Sequence, residues 1–207
     1  MPECQDFDIN LLFSSHFLIQ LSMLPILKYP NPILENVSVE VNLPLASNDL
    51  ELIRQMFATV KDIGVGLAAP QVGVNKRFFI VHLSGDKNLT KESRSNPDFV
   101  VINPNITFKS QVQTDLIEGC LSFPEEFYRI IRPSNILIEF TTISNTLQFV
   151  KGEEPIYKKA KLKATNWLAR ILQHEFDHLE GKIYTKMGGK KLTKRELELE
   201  DGDDIID

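Results

Sequence analysis

Apolar positions along the chain follow two periods. Ile53, Met56, Phe57 and Val60 recur at helical spacing, and Asn48-Asp49 caps a helix that should end before Gly64. A second helical stripe runs through Leu168, Ile171, Leu172, Glu175 and Leu179, with Thr165 or Asn166 able to cap its start and Gly181 suited to its end. Between them the apolar residues come in short β-rich runs. Residues 78–83 read as a strand, as do 99–103 and 106–108 with Pro104 between them, 135–141, and more weakly 146–150. Residues 84–98 form a polar stretch that predicts a surface loop, and 151–164 a basic, polar insertion. No internal repeat interrupts this order. One helix early and one late around short strands predict an α+β fold, mostly antiparallel strands packed around a central helix.

The later helix carries the chemistry: His174-Glu175-Phe176-Asp177-His178. Residues four apart on a helix lie one above the other, so both imidazoles can reach one metal ion, and Glu175 lies close enough to handle the proton of an activated water. The bland reading is a pair of packed histidines held by ordinary hydrogen bonds. Two of them flanking a carboxylate on an apolar helix are expensive without a cation, so the stretch points to metal and hydrolysis, without saying which bond is cut. A catalytic site of this type takes three protein ligands and a water. The third could be an Asp, Glu, His or Cys elsewhere, and Cys120 in Ile117-Glu118-Gly119-Cys120-Leu121-Ser122 is the strongest candidate, against the plainer role of a small buried hydrophobe. Gly64-Val65-Gly66-Leu67-Ala68-Ala69-Pro70-Gln71 offers little side-chain bulk; either a tight turn leads into a strand there or something approaches the backbone closely. His82, inside its strand, is most simply a packed or edge histidine.

Composition narrows the setting. The 207 residues are enough for one domain with a substantial core, and 43% hydrophobic with 25% charged residues is ordinary for a globular protein. A net charge of −5 offers no global field for DNA. Two cysteines, Cys4 and Cys120, argue against a disulfide framework and for a reducing, cytoplasmic compartment. Residues 1–22 hold no Lys or Arg, fit neither a secretory signal nor a transit peptide, and are too short and polar for a membrane span. They read as an extension without an assigned role, 23–189 as the catalytic domain, and 190–207 as a charged tail, basic at Lys190, Lys191, Lys194 and Arg195 and then acidic.

Taken together, the stretches 64–71, 118–122 and 173–178 resemble the three signature motifs of peptide deformylase, in that family's order. The resemblance covers roughly 23–189. It implies that Cys120, His174 and His178 ligate one divalent ion, with Fe2+ as the native metal and Zn2+, Ni2+ or Co2+ able to substitute. It implies Glu175 as general base and acid, and Gln71 with the Leu121 N–H as oxyanion donors. Gly64, Val65, Gly66, Glu118, Gly119, Trp167, Arg170 and Ile171 fall where the family binds its formyl-peptide and builds a methionine pocket. The activity so implied is removal of the N-formyl group from the N-terminal methionine of new proteins, with formate released. Arg132 fits a family arginine that pairs with the glutamate here numbered 118. Phe127, Trp167 and Arg170 depart from the family's usual residues. A ribosome contact through residues 190–195 is compatible with the resemblance, although the acidic end opposes it. Two rivals remain in view: another metallohydrolase, with a His, Glu or Asp as third ligand, and a non-enzymatic metal-holding domain, which would need a fourth protein ligand.

Overall fold

The computed structural model of the chain describes residues 23–83, 98–199 and 205–206. Helix α1 spans Ser47–Val60 and buries Ile53, Met56, Phe57 and Val60, the face that the helical period marks. A short strand β1 (Gly66–Ala68) leads through a 3-10 turn, Ala69–Val72, to β2 (Phe78–Val81). Every residue of β2 is buried, the mark of a strand covered on both faces. Phe78 and Ile80 face a core shared with α1, while Phe79 and Val81 face the opposite core.

Strand β3 (Phe99–Lys109) runs unbroken through Pro104, where the sequence suggests two strands. Its pairing shifts register between Ile102 and Asn105, and Asn103 sits at φ +48°. The bulge tolerates the missing N–H of Pro104, and the Asn103 side chain bonds both backbone groups of Val41 at 3.0 and 2.8 Å. Strands β4 (Gln113–Glu118) and β5 (Tyr128–Pro133) follow, neither expected. Charged Glu118 and Arg132 fill inward positions there, so the apolar alternation that announces a strand is broken.

Strand β6 (Asn135–Ile143) is as expected, but Thr146–Val150 is a helical turn, α2, instead of a strand. Phe149 alone is fully buried there, and the Asn145 side chain ties the turn to Glu154 O and Ile156 N at 2.8 Å each. The basic insertion folds largely into β7 (Tyr157–Thr165), with lysines outward and Ala160, Leu162 and Ala164 packed on the core. Helix α3 (Asn166–Leu179) carries the histidine motif and ends at Gly181 with φ +63°, as its sequence predicts. Of the loop expected over 84–98, residues 84–97 lie outside the described residues. Asp98 itself is buried, where it accepts from Leu83 N–H and pairs with His82 Nδ1, both at 2.8 Å.

The five-stranded sheet has the order β1-β2-β3-β6-β7, antiparallel throughout. After α3, Lys190–Lys191 forms β8, and Lys194–Leu197 the short helix α4. Ile205–Ile206 forms β9. The second sheet reads β8-β5-β4-β9, with β9 parallel to β4. Within the stretch expected as a charged tail, Lys190–Lys191 and Ile205–Ile206 pair into this sheet, and Leu192 is buried. Helix α3 lies between the sheets, its Ala169, Ile171, Leu172 and Leu179 packed on the five-stranded one. The α+β fold class with antiparallel strands agrees with the sequence reading.

Candidate metal centre

Three chain segments converge on the polar face of α3. His174 and His178 are buried, with ring centroids 5.1 Å apart. Cys120 arrives from the end of β4, in a turn closed by Phe123 N–H donating to Cys120 O at 2.8 Å. Its sulfur lies 3.3 Å from His178 Nε2, and one ligand atom from each of the three residues falls within 4.8 Å of the others. The third segment is the 3-10 turn carrying Gln71. Ala68 N–H donates to Gln71 Oε1 at 2.8 Å, so the amide nitrogen must face the centre, 3.6 Å from Cys120 Sγ and 3.3 Å from Ser122 Oγ. The N-terminal segment clasps both turns: Leu27 N–H donates to Gln71 O at 2.8 Å, Tyr29 N–H to Ser122 O at 3.0 Å, and the Lys28 ammonium to Leu121 O.

Glu175 faces the same centre with Oε2 buried and without a hydrogen-bond partner. Burial raises its carboxyl pKa to about 7, with the charge of Glu118 adding to the rise and that of His174 opposing it. Gly66 makes room for this carboxylate, because a Cβ at that position would lie 2.4 Å from Glu175 Oε1. Together Val65, Gly66, Gly119, Leu121 and Ile171 wall a cavity that Gln71, Cys120, His174 and Glu175 also face. Its free volume, about 10 Å³, is that of a single water.

Behind the histidines lies a buried ionic cluster. Glu118, wholly buried, accepts from Arg132 Nε at 2.5 Å and Nη2 at 2.9 Å, from Arg170 Nη1 at 2.9 Å, and pairs through Oε2 with His174 Nδ1 at 2.9 Å. Arg132 also reaches Asp177. Burial would push the Glu118 carboxyl up, but hydrogen bonds from Arg132 and His174 outweigh it and hold it well below the usual carboxylate range. Burial also presses His178 well below its ordinary value, joined by the charges of His174 and Arg132, which leaves a neutral imidazole.

The donor set suits a divalent cation. The bond from Nδ1 to Glu118 fixes the tautomer of His174 and leaves Nε2 for the ion. A thiol and two imidazoles match Fe, Co, Ni or Zn. Among the described residues no fourth His, Cys, Asp or Glu joins the group, so an ion held there would keep a position for water or substrate. Cys120, His174, His178, Glu175, Gln71 and Leu121 are thus brought together as the sequence suggests, along with Val65, Gly66, Gly119 and Ile171. The other four candidates stand back from the cavity. Gly64 N–H closes the end of α1 on Val60 O at 3.0 Å, Trp167 packs at the rim of the main core, and Glu118 and Arg170 lie in the ionic cluster. Sequence reasoning missed Asp177, Ser122 and Thr114 as partners. Asp177 and Ser122 lie inside the motifs, but only the fold reveals what they face.

A sequence model described as polypeptide deformylase matches residues 23–192. The peptide deformylase of Wolbachia sp. subsp. Drosophila simulans (strain wRi) is 39% identical over 169 residues, which cover 80% of this chain and 87% of that one. The crystal structure of peptide deformylase from Ehrlichia chaffeensis in complex with actinonin superposes with a TM-score of 0.65 at 33% identity, covering 86% of this chain and 93% of that one. The Met-Ala-Ser bound class I type b peptide deformylase from Acinetobacter baumannii gives 0.63 at 30% identity, over 80% and 98% of the two chains. By its sequence, its fold and the convergence of its three motifs, the chain belongs to the polypeptide deformylase family, metal-dependent hydrolases that remove the N-formyl group from N-terminal methionine.

Proposed function

We propose that Cys120, His174 and His178 hold one divalent cation, with Fe2+ as the working ion, and that Glu175, Gln71 and the Leu121 N–H carry out deformylation of formyl-methionyl peptides beside it. The observation that carries this reading is the Glu175 carboxylate, which borders the cavity with an unpaired oxygen and a pKa near 7. Such a group can both take and return a proton at neutral pH. A bound divalent cation supplies Lewis acidity at this point, acidifying a water and polarising the carbonyl it faces.

Glu175 accepts the proton of the water that attacks the formyl carbon, then delivers it to the departing amine as formate leaves. Negative charge grows meanwhile on the formyl oxygen. Gln71, whose Oε1 is occupied by Ala68 N–H, keeps its amide hydrogens directed into the site for that oxygen. One such donor is typically worth ~3 kcal/mol, and the Leu121 N–H offers a second. Glu118 contributes by holding His174 in place, so its part is orientation of a ligand.

The substrate is read as an extended peptide along β1, which ends the five-stranded sheet and, among the described residues, pairs there with β2 alone. Main-chain bonds to such an edge do not depend on sequence. Val65, Leu121 and Ile171 would supply the apolar wall for the methionine side chain. The Met-Ala-Ser ligand of the Acinetobacter protein, a deformylated methionyl peptide, supports this view of the substrate. No helix among the described residues is long and apolar enough to cross a membrane, and we place the activity in the cytoplasm. Lys190 and Lys191 already pair with Glu196 and Glu126, so the stretch considered for a ribosome contact is partly neutralised within the chain.

The deciding experiment is formate release from formyl-Met-Ala-Ser by protein reloaded anaerobically with Fe2+, beside acetyl-Met-Ala-Ser and a Zn2+-loaded sample. Rapid formate release with little acetate is expected. Comparable turnover of the acetyl peptide overturns the formyl-specific reading, and equal activity with the two metals overturns the choice of iron.

A further inference from the structure

Arg170 stands one helical turn before His174, 1% exposed, and does not border the cavity. We propose that Arg170 is a positioning residue for His174, acting through Glu118, and not a wall of the methionine pocket. The inference rests on the reading of Cys120, His174 and His178 as the cation site.

A carboxylate offers about four acceptor positions, and all those of Glu118 are taken. Oε1 receives Arg132 Nε and Arg170 Nη1, while Oε2 receives Arg132 Nη2 and pairs with His174 Nδ1. Arg132 grips both oxygens from one side. Arg170 fills the remaining position on Oε1, so Oε2 is the oxygen left for the histidine. The two Nη atoms of Arg170 are also keyed to the sheet, while its Nε is buried without a hydrogen-bond partner. Nη1 also donates to Ile130 O at 2.8 Å, and Nη2 donates to Thr114 O at 2.6 Å and Thr114 Oγ1 at 3.0 Å. Arg170 therefore ties α3 to β4 and β5 at the level where β4 presents Glu118.

Charge balance points the same way. Glu118 and Asp177 are two buried carboxylates that share Arg132, and one guanidinium cannot neutralise both. Arg170, 2.9 Å from Glu118 Oε1, supplies the second permanent positive charge beside the titratable His174. Without it Glu118 can roll about its Arg132 contact, and Ile130 O and Thr114 O each lose a donor. His174 then loses the contact that fixes its tautomer and the aim of Nε2. Groups that orient a ligand in this way typically alter metal affinity 10–100-fold.

The test uses the full chain loaded with Co2+ and compares wild type with Arg170→Leu and Arg170→Lys. The Co2+ absorption spectrum, the rate of Co2+ transfer to excess chelator, and kcat and KM for formyl-Met-Ala-Ser are measured. Arg170→Leu is expected to release Co2+ at least ~10-fold faster, with a shifted ligand-field spectrum and a lower kcat, while KM stays within about twofold. Arg170→Lys should fall between, since an ammonium keeps the charge without the planar fork that spans Glu118, Ile130 and Thr114. Should the leucine variant fail to fold, the lysine variant decides by the same readouts. Release at the wild-type rate with an unchanged spectrum overturns the inference, as does a raised KM with metal retention intact. Wild-type protein that does not hold Co2+ overturns the metal-site reading beneath it.

Discussion

Glu175 is the residue on which the chemistry turns, and its burial makes two predictions. Glu175→Gln keeps the metal ligands and the cavity but has no base, so kcat for formate release should fall at least ~100-fold while metal content by elemental analysis is unchanged. The second concerns pH. The folded-state carboxyl sits near pH 7, above its ordinary value of 4.5, so folding favours the protonated form. The resulting penalty is absent below about pH 4.5 and complete above about pH 7. In chelator-treated protein, Glu175→Gln should therefore be roughly 2–3 kcal/mol more stable than wild type at pH 8 and nearly equal at pH 4, as urea unfolding would report. Gly66 belongs to the same account. Gly66→Ala places a methyl against the Glu175 carboxylate, and kcat should fall at least ~10-fold, with the residual activity no longer tracking a group near pH 7.

Among the elements, the two long helices were the most legible in sequence. The face of α1 and the motif stripe of α3 both show a clean helical period, and Gly181 marks where α3 stops. Gly181 illustrates why: at φ +63° a Cβ would lie 2.5 Å from Glu35 O, so Gly181→Ala should destabilise the protein by roughly 1–3 kcal/mol, seen as a lower Tm. Strands β4 and β5 were not legible, because Glu118 and Arg132 occupy inward positions where periodicity looks for apolar side chains. Strand β7 was hidden by its lysines, and α2 by Leu147 and Phe149, whose alternation mimics a strand although only Phe149 is buried. Cys120 was legible as a candidate. That Arg170 points behind the histidine and away from a substrate pocket depends on which strand α3 covers, and local sequence does not encode that.

For the whole molecule, the reading of residue 23 as the start of the catalytic domain can be tested, because the family match begins there and Leu27 and Tyr29 clasp the motif turns. A chain beginning at Met23 should hold kcat/KM for formyl-Met-Ala-Ser within about twofold of the full chain, and a larger loss would give residues 1–22 a role. Removing residues as far as Tyr29 should instead lower kcat sharply, since both oxyanion turns lose their backbone anchors.

The five-stranded sheet ends in two rims of opposite character. At one, β7 displays Lys159 and Lys163, with Lys161 between them paired to Glu139, and such exposed edge charge discourages copies from zipping together. At the other, β1 has almost no side chains to present and borders the catalytic cavity. On the proposed reading, sociability is confined to the margin beside the cavity, where a visiting strand would be processed and released, while the far rim keeps the protein from seeding its own aggregation.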